Sequence, residues 1–385
     1  MSFLTEWKNN TEYFQLLELM ARLSNLYSDS QIPFLHYRVT ENLFCKYYNA
    51  DNLSRTDTAY DAKKEGFGVG IKTFQLLNDT SMEKIAEFNA ISNQLKQYRG
   101  NDLAYQVAKA RNDRMELGMR LYAITDGCYH IIGRVPEGLV IFNSNYPLIN
   151  LAKIHAVVDT GKSLHFADDK DFYSFNYSKS TLFKRFKVSE EKKEIPISII
   201  QDPYEILRLL IESKFRSKYK DIYGIHKLVQ EQVTNPQKQL RLGYNYVILP
   251  LFSEKFQKVP EKSGLNQWNA GGRARDANEV YIPIPKNLHK AYPNFFPNRE
   301  TPFNLQLPNG KVISAKVCQD NGKALMSNPN VDLGKWILRD VMCLKEGELL
   351  TLDMLCRFGF NGVTIFKEDE LNYKIDVCTT PYRGY

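Results

Sequence analysis

The chain changes character near residue 235, and that change constrains its fold more than any other feature. Upstream, stretches with helical apolar spacing alternate with strand-like runs. Trp7, Phe14, Leu17 and Met20 recur at helical spacing and predict a helix over 6–29. Pro33 opens a second over 34–49, with Glu41, Phe44, Cys45 and Tyr48 on one face. Ile85, Phe88, Ile91 and Leu95, behind Ser81, predict a helix over 82–98. Further helices are expected over 102–118, 203–216 and 221–233. The runs RLYAIT, YHIIGRV and GLVIFN read as strands, and residues 163–187 alternate aromatic with polar groups as a half-exposed sheet does. Downstream, YNYVILPLF, VYIPIP, FNLQLP, KVISAKVC, VTIFKE and YKIDVC are short strands separated by turns such as Pro308-Asn309-Gly310. Helical pieces there are confined to 336–343 and 352–359. The expectation is a mixed α/β (α+β) unit over 1–235 with a central mixed sheet, and a mostly β unit over 240–385.

Composition excludes several classes. No apolar run approaches the roughly 18–20 residues of a membrane helix. The N-terminal residues lack a basic segment followed by an apolar one, so no secretory signal is read. The six Cys form no CxxC pair, which argues against a zinc ribbon and against a disulfide scaffold. They suit small buried hydrophobes in a reducing compartment, and a cytoplasmic location is expected. The net charge of +7 is compatible with nucleic acid but does not decide the partner.

The segment SGLNQWNAGGRARDANE concentrates planar hydrogen-bonding groups on a Gly-rich stretch. Gln267, Asn269, Arg273, Arg275 and Asn278 can address base edges bidentately, and Gly271 and Gly272 allow close backbone approach. Gln319, Asn321, Lys323, Asn328 and Asn330 form a second polar set, and Lys335 and Arg339 suit phosphates. Trp268 and Trp336 suit core or loop anchors better than stacking platforms, and Trp268 is kept among the candidate DNA contacts. Together with FFPNRETPFNLQLPNGK, ISAKVCQDNGKALMSNPN and LGKWILRDV, this segment resembles the C-terminal recognition domain of a group of type II restriction endonucleases, itself similar to the plant B3 DNA-binding fold. The resemblance spans nearly the whole second unit. It implies a seven-stranded open pseudobarrel, double-stranded DNA as partner, and two arms that clamp the major groove, over 263–279 and 316–339.

Recognition modules of this type serve nucleases. The phospholipase-D signature of the best-known partners is absent, because no His has Lys two positions later. No GIY-YIG pair, HNH spacing or Walker A loop is evident. The stretch TAYDAKKEGFGVGIKTF instead resembles the PD-(D/E)XK nuclease motif. Asp61 would leave a strand over 57–61, AKKEGFG would turn, and Lys72 would lie on a strand over 68–75. The resemblance implies Mg²⁺ held by Asp61, a second acid and the Ile71 carbonyl, with Lys72 beside the attacking water. Gly70 stands where the family has Asp or Glu, and residues 70 and 72 of a strand share a face. The second carboxylate must then come from elsewhere. Glu41 is the first candidate and Glu87 the second; Asp57 and Gln75 are weaker.

Other chemistry-bearing residues read more plainly. His130 belongs on a buried strand, His155 and His165 lack ligand-spaced partners, and RNDRMELGMR (111–120) reads as a solvated helix face. Both halves together point to a Mg²⁺-dependent type II endonuclease of bacterial defence, cutting double-stranded DNA at a short GC-rich, GCNGC-like site as a monomer or transient dimer. The arrangement also resembles BisI-type enzymes, which require 5-methylcytosine; methylation-dependent and independent forms both stay open. The alternative is a catalytically inactive B3-like DNA-binding regulator, and Gly70 is the feature that favours it. An RNA-processing nuclease fits less well, because major-groove arms suit a B-form duplex.

Overall fold

The computed structural model describes residues 3–54, 58–209, 246–253, 256–299 and 301–380. Asp57, the helix expected over 221–233 and the boundary expected near 235–240 lie outside the described residues. Helices α1 (Phe3–Glu6), α2 (Thr11–Arg22) and α3 (Tyr37–Tyr48) come first. A six-stranded sheet follows, from β1 (Asp51–Asn52), β2 (Ala62–Lys64), β3 (Phe67–Gln75), β5 (Asp126–Val135), β6 (Gly138–Asn145) and β11 (Lys192–Pro196). Its order is β1-β2-β3-β5-β6-β11. Strands β3 and β5 are parallel while the other neighbours are antiparallel, so the sheet is mixed. A parallel pair needs a long crossover, and here it includes the 23-residue helix α5 (Gly100–Tyr122).

Apolar patterning explains the layers. Val69, Ile71, Cys128, Ile132, Leu139 and Ile141 face one side of the sheet and pack with Phe14, Leu17, Phe44 and Tyr48 of α2 and α3. The other side meets Met115, Leu121 and Tyr122 of α5. The first half of α5 packs against a second, antiparallel sheet. That sheet joins β4 (Thr80–Glu87), β10 (Thr181–Lys187), β9 (Phe172–Asn176), β8 (Ser163–Ala167) and β7 (His155–Asp159), in that order.

Several local expectations are corrected. Residues 82–98 are not one helix: Thr80–Glu87 is an edge strand paired along β10, followed by a short turn and α4 (Ser92–Leu95). The apolar residues at 85, 88, 91 and 95 fit a helical period, but long-range pairing with an aromatic-rich strand overrides it. RLYAIT is largely the end of α5, where Leu121 and Tyr122 continue the buried stripe until Ala123 adopts a left-handed conformation (φ 51°). The expected seven-residue turn is two residues long. Glu65 and Gly66 both have positive φ, as a tight hairpin requires, and Ala62–Lys64 is strand. Arg111 and Asn112 are buried, so the 111–120 face is not simply solvated. Arg111 donates to the Pro147 carbonyl and lies over the Tyr146 ring. The helix expected over 203–216 is described as α6 (Pro203–Leu209), with the rest outside the described residues.

The third sheet draws on residues 246–378. Its seven strands are β12 (Tyr246–Pro250), β13 (Ile282–Pro283), β14 (Phe303–Gln306), β15 (Val312–Cys318), β16 (Ala324–Ser327), β17 (Gly362–Lys367) and β18 (Asn372–Cys378). They run in the order β12-β17-β18-β14-β15-β16-β13. The two end strands approach each other, which nearly closes the sheet into a barrel. Its interior is continuous with the apolar cluster around the second half of α5. Arg120 Nε donates to the Val341 carbonyl at 3.1 Å and the Tyr122 hydroxyl to Asp376 Oδ1 at 2.8 Å, which ties the two units together.

Candidate functional site

The hairpin of β2 and β3 opens at Asp61. The Asp61 amide donates to the Val69 carbonyl at 2.9 Å, the last rung between the two segments. One step further, Asp61 Oδ2 accepts from the Ile71 amide at 2.7 Å. The carboxylate therefore stands in for the strand that has peeled away. A strand residue's amide and carbonyl leave on the same edge, so the Ile71 carbonyl also faces this fork. Lys72 follows on β3, half-buried like Asp61.

Glu41 reaches the fork from α3. It is 5% exposed, and the Arg38 guanidinium lies 2.9 Å from its Oε2, off hydrogen-bonding geometry. Burial raises the Glu41 pKa, and the Asp61 carboxylate raises it further. Arg38, a Ser54 hydrogen bond and Lys72 act in the opposite direction. Asp61 and Lys72 are thus both close enough to act on Glu41. Arg38 also donates to the Ser54 carbonyl at 2.9 Å, which holds the 52–54 segment against the helix.

Packing explains why position 70 carries no acid. Tyr129 and Tyr146 stack with ring centroids 3.8 Å apart. A Cβ on Gly70 would come within 2.9 Å of ring carbons of both. The space a carboxylate at position 70 would need is filled by this pair; Glu41 comes from the helix on the other side of the sheet, while Lys72 shares the face of Gly70.

Glu87 is not brought to the fork. As part of a strand rather than a helix it is exposed and paired with Lys84 at 3.0 Å. It lines a cavity of about 870 Å³ with Arg114, Asp353 and Cys356, between the two units. Gln75 is exposed at the end of β3. His130 is fully buried between the Tyr13 hydroxyl (3.0 Å) and the Asn143 amide oxygen (2.8 Å). Among the described residues, no three His, Cys, Asp or Glu side chains form a ready-made metal cage. Mg²⁺ does not need one; one or two carboxylates with water and substrate oxygens are its usual set. Glu41, Asp61 and the Ile71 carbonyl fit that set.

In the second unit, residues 271–274 are exposed and side chains added at Gly271 or Gly272 would meet nothing. Arg273 pairs with Glu279, and Gln267 Nε2 donates to the same Glu279 oxygen at 3.3 Å. Arg275 donates to the carbonyls of Ala270 (2.7 Å) and Gly271 (3.1 Å). Asn269 is exposed and donates to the Glu261 carbonyl, while Trp268 is partly buried against the core. Trp336 is buried in the core. Asn278 accepts from Arg339 Nε at 2.8 Å, and Arg339 also donates to the carbonyls of Ala277, Leu344 and Lys345. A Cβ on Gly334 would lie 1.9 Å from the Asn278 carbonyl oxygen. Arg339 and Gly334 thus join the bases of the two arms. On the second arm Lys323, Asn328 and Lys335 are exposed, Gln319 and Asn330 are half-exposed, and Asn321 lies in the turn Asp320–Gly322.

Residues 247–369 match the family model of the NgoFVII C-terminal B3-like DNA-binding domain. The matched span contains both arms and runs from β12 to just past β17. The near-closed seven-stranded sheet agrees with a B3-like pseudobarrel. The match supports DNA as the partner and a restriction enzyme as the kind of protein; the first unit lies outside it. No curated protein matches the chain. Among the described residues no helix is long and apolar enough to cross a membrane.

Three residues at these sites escape the sequence reading. Arg38 could have been found from its i,i+3 spacing to Glu41. Glu83 faces inward from β4, and the charges of Arg134 and Lys72 act on it. Glu279 carries no local signal, because its role rests on contacts made only once the arm has folded.

Proposed function

We propose that the protein is a Mg²⁺-dependent endonuclease that hydrolyses double-stranded DNA, with a PD-(D/E)XK-like first unit that cuts and a B3-like second unit that holds the site. This reading is supported by the forked hairpin, where the Ile71 amide holds Asp61 at 2.7 Å and the charges of Asp61 and Lys72 both act on Glu41, in a chain that carries the matched recognition segment. When bound, Mg²⁺ supplies positive charge at the scissile phosphate. Asp61, Glu41 and the Ile71 carbonyl would hold it. Lys72 would orient a water by hydrogen bonding and offset charge developing on the phosphate. The hydrogen bond from the Ile71 amide would keep Asp61 in place. The related recognition modules point to a short GC-rich, GCNGC-like site, and a BisI-type requirement for 5-methylcytosine is part of the proposal.

Gly70 favours a second reading, a DNA-binding regulator without catalysis. Plasmid DNA, unmethylated or 5-methylated at cytosine, incubated with the full chain in Mg²⁺ or EDTA separates the two. Discrete fragments in Mg²⁺ alone support the endonuclease. Binding without cleavage under all four conditions supports the regulator.

A further inference from the structure

We infer that Glu279 is the positioning residue that, with Gln267 and Arg275, fixes Arg273 for reading sequence. The inference rests on the proposed DNA-reading role of the 263–279 arm. Glu279 is 2% exposed, so its carboxylate meets no base or phosphate directly. A buried negative charge inside a DNA clamp opposes phosphate binding and calls for a reason. The reason lies in its contacts. One carboxylate oxygen receives Arg273, takes a hydrogen bond from Gln267 Nε2 at 3.3 Å, and lies 3.5 Å from Arg275 Nε.

These contacts divide the labour within the arm. The Arg275 side chain is only 15% exposed and fastens the loop through the Ala270 and Gly271 carbonyls. It builds the arm rather than reading from it. The Arg273 side chain is 57% exposed, anchored at one edge by Glu279. A planar guanidinium fixed along one edge presents its remaining N–H groups in a set direction, which bidentate recognition of guanine needs. Beside it, Gln267 Oε1 and Trp268 Nε1 have no hydrogen-bond partner within the protein. Both atoms are buried, so neither is presented to a base. The structure assigns reading to Arg273, and positioning to Glu279, Gln267 and Arg275.

The test is selection from random-sequence duplexes, one pool unmethylated and one with 5-methylcytosine throughout, by the full chain in EDTA. Wild type, Arg273→Ala and Glu279→Gln are compared, with thermal melts to establish folding. Glu279→Gln should lose preference at the same base pair as Arg273→Ala. Its affinity ratio between selected and random duplex should fall roughly tenfold or more. An unchanged motif, with a ratio within about twofold of wild type, overturns the inference. Failure of wild type to select a motif from either pool overturns the DNA-reading assignment and this inference with it. If Glu279→Gln does not fold, Gln267→Ala and Arg273→Ala decide. Loss at the same base pair is required, and loss at a different position overturns the inference.

Discussion

Burial first, and the neighbouring Asp61 carboxylate second, raise the pKa of Glu41. Its ionised form is therefore less favourable in the folded chain than in the unfolded one. Stability from this group is complete below the ordinary carboxylate range and is lost as pH rises through the raised pKa. Glu41→Gln should melt above wild type near about pH 8 in EDTA, with the gap closing toward about pH 4. Equal melting temperatures at both pH values contradict the assignment. Metal ligation needs the ionised form, so cleavage by wild type should rise with pH through a value above the ordinary carboxylate range. The hairpin that carries Asp61 and Lys72 was legible because such a motif is short-range. The helix that carries Glu41 on its buried face was legible from its apolar period. That Ser54 would brace it through Arg38 was not, because Ser54 reaches the helix only through the fold.

At the level of elements, the hairpin and its packing decide where an acid can stand. Gly70→Asp would restore the acid of the resembled motif but drive Cβ into the Tyr129–Tyr146 stack. Overpacking of this kind costs about 1–3 kcal/mol. The urea midpoint of Gly70→Asp should fall accordingly, without any gain in cleavage; an unchanged midpoint contradicts the packing argument. Strand β5 carries a second consequence. Burial pushes the His130 pKa down from 6.5 to about 4, against the opposing Asn143 hydrogen bond. Stability from His130 is present above about 6.5 and is lost as pH falls toward about 4, a span of about 3 kcal/mol. Urea midpoints of wild type at about pH 7 and pH 4.5 should differ more than those of His130→Gln. An equal drop in both assigns acid sensitivity elsewhere. The second sheet shows where element reading stops. A helical period over 85–95 was real, yet β10 recruited 80–87 as a strand through contacts about a hundred residues away in sequence.

Across the whole molecule, the two units are joined by one continuous apolar cluster and by the Arg120–Val341 and Tyr122–Asp376 hydrogen bonds. Nothing in the sequence announced that α5 serves both. Its second half reads as an ordinary amphipathic stripe, and the partner surface is more than two hundred residues away. The B3-like unit was legible because its motifs are consecutive and dense, whereas the candidate site of the first unit rests on few residues brought together by the fold. Coupling a cutting fork to a separate clamp predicts that the two functions come apart on mutation. The most direct measurement is single-turnover cleavage of plasmid DNA in Mg²⁺ by wild type, Asp61→Ala and Lys72→Ala, alongside duplex binding by each in EDTA. Loss of cleavage by both variants with wild-type binding is the predicted result. Cleavage retained by either variant, or binding lost together with cleavage, would contradict the account.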